Sequence, residues 1–192
     1  MARTRQFDDV SLRREALGFF WTSGFDATSI ETISAATGVG NGSIYAAYGS
    51  KRGLFEQVLA AYCATRVDIV RDAMTSGDSL DDAIRRFFDV IVADCATQPH
   101  RRGCLMLNTI AEWGDRDAAI LELCQRTTAA MESVVADRIV TSRADDASSA
   151  DPSILAAQII MVSQGIIALS RLQTPRERMV AIADSYRASL AL

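Results

Sequence analysis

The chain has 192 residues, is about half apolar and carries a net charge of −4, which suits one or two domains with a sizeable core. Three prolines and eleven glycines, in a background of Ala, Leu, Ile, Arg and Asp, favour helices over strands. An acidic sum argues weakly against a polyanionic partner, but distribution matters more: residues 1–52 hold six basic and five acidic side chains, so any such contact belongs to the N-terminal quarter.

Helical periodicity then runs along almost the whole chain. Val10, Leu12, Ala16, Leu17, Phe19, Phe20 and Trp21 make the apolar stripe of a first helix, capped by Asp8 or Asp9 and ended by Gly24. Thr28 followed by Glu31 reads as a capping box opening a second helix, with Ile30, Ile33 and Ala36 on its apolar face and Gly38 closing it. A third short helix covers about 41–48, and Ser50 caps a long fourth helix of about 51–75. Five more are expected over about 80–97, 103–113, 116–142, 153–172 and from Pro175 onward, with the small polar residues of 142–153 forming a surface loop.

The pattern is all-α: three short helices, then about six longer ones. Residues 1–50 read as a small N-terminal domain, linked through the fourth helix to a larger helical body over 51–192. Four scattered cysteines without a C-x-x-C and a single histidine suggest neither a disulfide framework nor a zinc site, and no cofactor is expected. The N-terminus lacks a signal-peptide core and no run of eighteen apolar residues occurs. The expectation is a cytoplasmic protein with no membrane partner.

The stretch "GVGNGSIYAAYGSKRGLF", residues 38–55, holds five glycines among apolar residues at helical spacing. Two short helices joined by a glycine turn, with Val39 as an apolar plug, match a helix-turn-helix. In that motif the second helix enters the major groove and its N-terminal residues meet base edges.

Residues 20–59, "FWTSGFDATSIETISAATGVGNGSIYAAYGSKRGLFEQVL" from Phe20, resemble the DNA-binding domain of the tetracycline-repressor (TetR) family of bacterial transcription regulators. The likeness rests on Phe20-Trp21 and Gly24-Phe25, Ala27 to Ile30, Ile33, Ala36, Gly38-Val39, Ser43 to Tyr45, Tyr48, Ser50-Lys51 and Leu54-Phe55, and covers about residues 7–60. It implies that Thr28, Tyr45, Tyr48 and Lys51, the chain's only lysine, contact phosphates, while Asn41, Gly42 and Ser43 face base edges. Thr28 serves as a cap with or without DNA, and Tyr45 also fits a partly buried position. Gly40 and Asn41 stand where the family often has serine and a basic residue, and Tyr48 replaces a common phenylalanine. Arg3 and Arg5 precede the first helix and suit either a minor-groove arm or a disordered start.

The same resemblance implies a sensor in the body. Tyr62, Phe87, Phe88, Ile91, Cys104, Met106, Asn108, Glu112 and Trp113 are the candidate effector-pocket residues, each of them more readily explained singly as core. "RRGCLMLNTIAEWGDRD" resembles a subgroup with Gly-Cys-Leu at the start of helix six, in which some members respond to electrophiles. Arg101 and Arg102 precede Cys104 there, which motivates a reactive cysteine beside the alternative of a structural one. The helix over "SILAAQIIMVSQGIIALSRL" is apolar nearly all round, which a peripheral helix does not sustain alone. Ile159, Val162, Gly165, Ile166 and Leu169 are its candidate dimer contacts.

The function expected is that of a dimeric, sequence-specific DNA-binding regulator, a repressor released from a palindromic operator in double-stranded DNA by a small-molecule or electrophile effector. An activator of the same fold remains open. So does a helical small-molecule-binding protein or enzyme with a vestigial DNA-binding domain, although no nucleophile–base pair or phosphate loop is visible. The chain is read as a non-enzyme.

Overall fold

The computed structural model describes residues 7–113, 116–142 and 151–190. Among them are nine α-helices: α1 (Asp9–Ser23), α2 (Ile30–Thr37), α3 (Asn41–Tyr48), α4 (Lys51–Thr75), α5 (Leu80–Thr97), α6 (Leu105–Trp113), α7 (Ala118–Ser142), α8 (Pro152–Ser170) and α9 (Arg176–Ala188). No strand occurs among the described residues, so the all-α architecture expected from the sequence is the one observed. Residues 143–150 of the expected surface loop lie outside the described residues. The chain divides into two compact units, Met1–Cys63 with Leu105–Leu121, and Ala64–Cys104 with Glu122–Leu192.

The first unit is built by α1 to α3, the start of α4, and α6. Asp8 caps α1, its carboxylate accepting from the amides of Val10 and Ser11. Leu12, Ala16, Phe20 and Trp21 turn inward, whereas Val10, expected on that stripe, is 68% exposed because it sits in the unpacked first turn. The cap of α2 is Ser29 and not Thr28: the Ser29 hydroxyl accepts from the amide of Thr32 at 3.1 Å. The helix thus begins one residue later than the capping-box spacing implies. Ala36 is exposed, which leaves Ile30 and Ile33 as the buried face of α2.

Gly38 takes φ 70°, a left-handed geometry that only glycine enters without steric cost, and its amide donates to the carbonyl of Ser34. The chain thereby reverses within three residues, and α3 packs on α2 through the fully buried Ile44. Burying such a side chain contributes about 1.5–3 kcal/mol. Phe20, Phe25, Phe55 and Trp113 form an aromatic cluster with ring centroids 4.7–6.1 Å apart, and Trp21 meets Tyr62 edge-on. Trp113 belongs to α6, so the core of this unit is completed by a residue far along the sequence.

In the second unit, α5 lays a continuous inner face (Leu80, Ala83, Ile84, Phe87, Phe88, Ile91, Val92, Cys95) against α8 and α9. Ser79 caps it by accepting from the amide of Asp82. Arg187 of α9 donates to both carboxylate oxygens of Asp81 at 2.6 and 2.7 Å, pinning α9 to the start of α5. After α5 a short 3₁₀ turn, Pro99–Arg101, holds His100 and Arg101 at positive φ. Periodicity does not disclose this turn. By length and composition α8 could cross a membrane; its buried side, with Leu155, Ile159, Ile160 and Ile166, packs with α5 and α9.

Candidate nucleic-acid interface

The outer face of α3 is small and open. Gly42, Ser43, Ala46 and Tyr45 are exposed, with Gly49 and Ser50 continuing the surface, while Ile44 and Tyr48 point inward. Periodicity dictates this division: positions 44 and 48 are one turn apart and face the core. Gly40 stands at the N-cap and provides no side-chain hydrogen bond, while its carbonyl accepts from the amides of Ser43 at 2.9 Å and Ile44 at 3.2 Å. A helix start in that state suits an anionic group. Tyr45 is 44% exposed, its ring and hydroxyl at the protein surface.

The other residues expected to meet DNA are more deeply set. Asn41 is half-buried with Oδ1 turned inward and accepting no hydrogen bond, so a two-bond pair with adenine requires its side chain to rotate. Thr28 is 3% exposed, and its hydroxyl donates to the carbonyl of Gly24 at 2.7 Å, bracing the α1–α2 turn from inside. Tyr48 is buried and its hydroxyl donates to Asp9. Lys51 is half-buried at the start of α4. Its ammonium donates to the carbonyls of Phe25 and Thr28, each at 2.9 Å, and lies 4.1 Å from the centre of the Phe25 ring. Two of its three donors are thus committed to backbone carbonyls. Arg3 and Arg5 lie outside the described residues.

Two glycines of the opening stretch separate cleanly on packing. A Cβ added at Gly53 would stand 2.1 Å from the carbonyl oxygen of Tyr48, whereas one added at Gly42 would meet nothing within 4 Å. Internal packing therefore demands a glycine at 53 and is indifferent at 42.

The nine effector-pocket candidates fall on both units. In the first, Tyr62, Met106 and Trp113 are buried, and the Tyr62 hydroxyl accepts from the amide of Leu105 at 3.3 Å. Asn108 and Glu112 are half-buried. The Glu112 carboxylate accepts from the amides of Phe25 at 3.1 Å and Asp26 at 3.0 Å. In the second unit, Phe87, Phe88, Ile91 and Cys104 are buried. Arg101 donates to the carbonyl of Thr174, and Arg102 to the side-chain carbonyl of Gln98. Burial, the dominant influence, pushes the thiol of Cys95 up against a counteracting hydrogen bond from Ser170. An open cavity of about 500 Å³ in this unit is lined by Ile69, Asp72, Ala73, Arg85, Arg86 and Val90 among others, and by none of the nine candidates.

On α8, Ile159 and Ile166 are buried within the protomer at 0% and 1% exposure and have no surface left for a partner. Val162 and Leu169 are half-buried, and Gly165 is exposed. The outward stripe is instead Ile154, Gln158, Met161, Gly165 and Ala168, with Leu172 exposed in the turn just beyond the helix.

Two family profiles cover the chain: the one described as "Bacterial regulatory proteins, tetR family" matches residues 12–58, and "Tetracyclin repressor-like, C-terminal domain" matches residues 81–186. The chain belongs to the TetR family. It is a DNA-binding transcriptional regulator, and α2, the Gly38 turn and α3 are its helix-turn-helix. Among curated relatives, the HTH-type transcriptional regulator YezE of Bacillus subtilis is 24% identical over 69% of this chain and 68% of its own length. The repressor BdcR of Escherichia coli is 36% identical over 43% of this chain and 44% of its own. Among solved TetR-family structures, a cysteine mutant of the regulator CifR bound to a 26-base-pair double-stranded operator superposes with a TM-score of 0.85 at 25% identity, covering 97% of this chain and 99% of that chain.

Glu112 and Asp117 were not legible as members of the helix-turn-helix unit. Arg52 of α4 pairs with Asp117 through Nε at 2.8 Å and Nη2 at 3.2 Å. Both acidic residues lie more than sixty positions from their partners, and neither sits in a local pattern that announces such a contact.

Proposed function

We propose that this TetR-family chain is a dimeric, non-enzymatic, cytoplasmic repressor that reads a palindromic operator through the exposed face of α3 and leaves it when a small-molecule effector binds. The reading assigns DNA binding to residues 1–50 and effector binding with dimerisation to 51–192. The observation that carries it is the combination on α3 of a first turn without a side-chain cap, small residues at 42, 43 and 46, and an exposed Tyr45. A surface of this kind lets backbone amides approach phosphates closely, with Ser43 at a base edge and Tyr45 on the sugar–phosphate chain. Thr28 and Tyr48 then act by bracing the scaffold, and Lys51 supplies the cation. The operator-bound CifR structure supports the same reading.

Dimerisation is supported by the outward stripe on α8. Positions 154, 158, 161, 165 and 168 follow alternating steps of four and three, the spacing of a helix–helix seam. Val162, Gly165 and Leu169 remain at or beside that seam. A two-fold pair of reading heads requires half-sites about 34–36 Å apart. Effector and DNA favour different conformations, so occupancy by one lowers affinity for the other.

The test is Ser43→Glu, which sets a carboxylate on the exposed face. Binding of a labelled duplex should be abolished with helical content and dimer unchanged. Unaltered binding would sink the assignment of α3 as the reading helix.

A further inference from the structure

Glu112 reaches the helix-turn-helix unit from α6, and its carboxylate ends on the amides of Phe25 and Asp26 at 3.1 and 3.0 Å. The approach depends on Gly24, at φ 81°: a Cβ there would stand 2.9 and 3.1 Å from the two carboxylate oxygens. The Asp26 amide is one half of the peptide group whose other half is the Phe25 carbonyl, and that carbonyl accepts from Lys51 at 2.9 Å. One peptide therefore stands between a carboxylate and an ammonium. A peptide group is planar and trans, so its N–H and C=O point in opposite directions and fixing one aims the other. Hydrogen bonds in such a chain also polarise one another and strengthen together. The same turn is held by Thr28, whose hydroxyl donates to Gly24 and whose carbonyl is the second acceptor for Lys51.

We propose that Glu112 is a positioning residue for DNA binding: acting through the Phe25–Asp26 peptide, it fixes the cradle that presents the Lys51 ammonium to a phosphate. The proposal rests on Lys51 being a phosphate contact. Glu112 is then neither a ligand of the effector nor a mere filler of the turn. Loss of its carboxylate leaves that peptide held only through its carbonyl, which accepts from the Thr28 amide at 3.2 Å and from Lys51, and so loosens one of the two acceptors that aim the ammonium.

The experiment measures affinity for a labelled random-sequence duplex across a salt series in the full-length protein, for Lys51→Ala, Glu112→Ala, Glu112→Gln and the Lys51→Ala/Glu112→Ala double variant. Lys51→Ala should weaken binding and lower the salt slope by about 1. Glu112→Ala should weaken it about tenfold, an ordinary coupling for residues in one network, and add nothing when Lys51 is already gone. Glu112→Gln keeps the shape and one acceptor, so it should fall between wild type and Glu112→Ala and guards against simple misfolding. Independent, additive losses overturn the positioning role while leaving Lys51 as a contact. A gain in affinity for both Glu112 variants also overturns it, since the carboxylate would then act only as a repelling charge. A neutral Lys51→Ala removes the contact on which the proposal stands, whatever Glu112 does.

Discussion

The carbonyl oxygen of Tyr48, the last residue of α3, occupies the space a Cβ on Gly53 would need, the two being separated by only 2.1 Å. The corner between α3 and α4 closes on that missing side chain, with Ser50 accepting from the Gly53 amide at 3.0 Å to set the first turn. Backbone cannot yield as a flexible side chain does, so Gly53→Ala should cost about 1–3 kcal/mol. Thermal unfolding would read this as a lowered midpoint.

Gly42→Ala is expected to behave in the opposite way. Nothing lies within 4 Å of its added Cβ, and the residue sits in a helix. Folding should be unharmed or improved by about 0.5–1 kcal/mol. DNA affinity should nevertheless fall, because the new methyl faces the groove. A variant that binds DNA as wild type would show that the bare backbone at 42 has no part in docking.

Met161→Arg places a charge in the middle of the outward α8 stripe, where Met161 is 63% exposed. The protomer should stay folded while the dimer dissociates, observable as a halved mass by light scattering. Ile159→Ala should instead lower stability by about 2–5 kcal/mol, as for any buried aliphatic residue, and leave the oligomeric state unaffected once folded.

Asp117 gives an acid-side signature. Burial opposes its ionisation most strongly, but the Ile120 amide, the Arg52 guanidinium and the Ala119 amide together hold its carboxyl below the usual 3.8. A depressed carboxyl stabilises the fold above the unfolded value, and that contribution is lost as pH falls through the folded one. Asp117→Asn should therefore be less stable than wild type at neutral pH. The gap should narrow only below about pH 4; a gap constant with pH would mean that the charge on Asp117 is not what stabilises.

Local signals made the helix-turn-helix legible in the sequence. Gly38, Gly49, Asp8 and Ser50 mark helix ends through their own backbone or side-chain chemistry, and α3 begins and ends where those marks put it. The cap of α2 falls one residue later than the spacing implies because Thr28 and Ser29 offer the same hydroxyl, and that of Thr28 is committed to the Gly24 carbonyl. On α8 the failure has another cause. A helix apolar on all sides has no periodic signal, so the burial of Ile159 and Ile166 and the exposure of Met161 could not be separated by pattern. The grip of Glu112 on the α1–α2 turn spans 87 positions and follows from the fold alone.

The most direct measurement is selection of bound DNA from a random duplex pool by the wild-type protein, followed by sequencing. The predicted result is an inverted repeat whose half-sites lie about one helical turn apart, in keeping with a two-fold dimer that presents α3 twice. A pool that stays random, or a single unpaired half-site, would contradict a dimeric repressor reading its operator through α3.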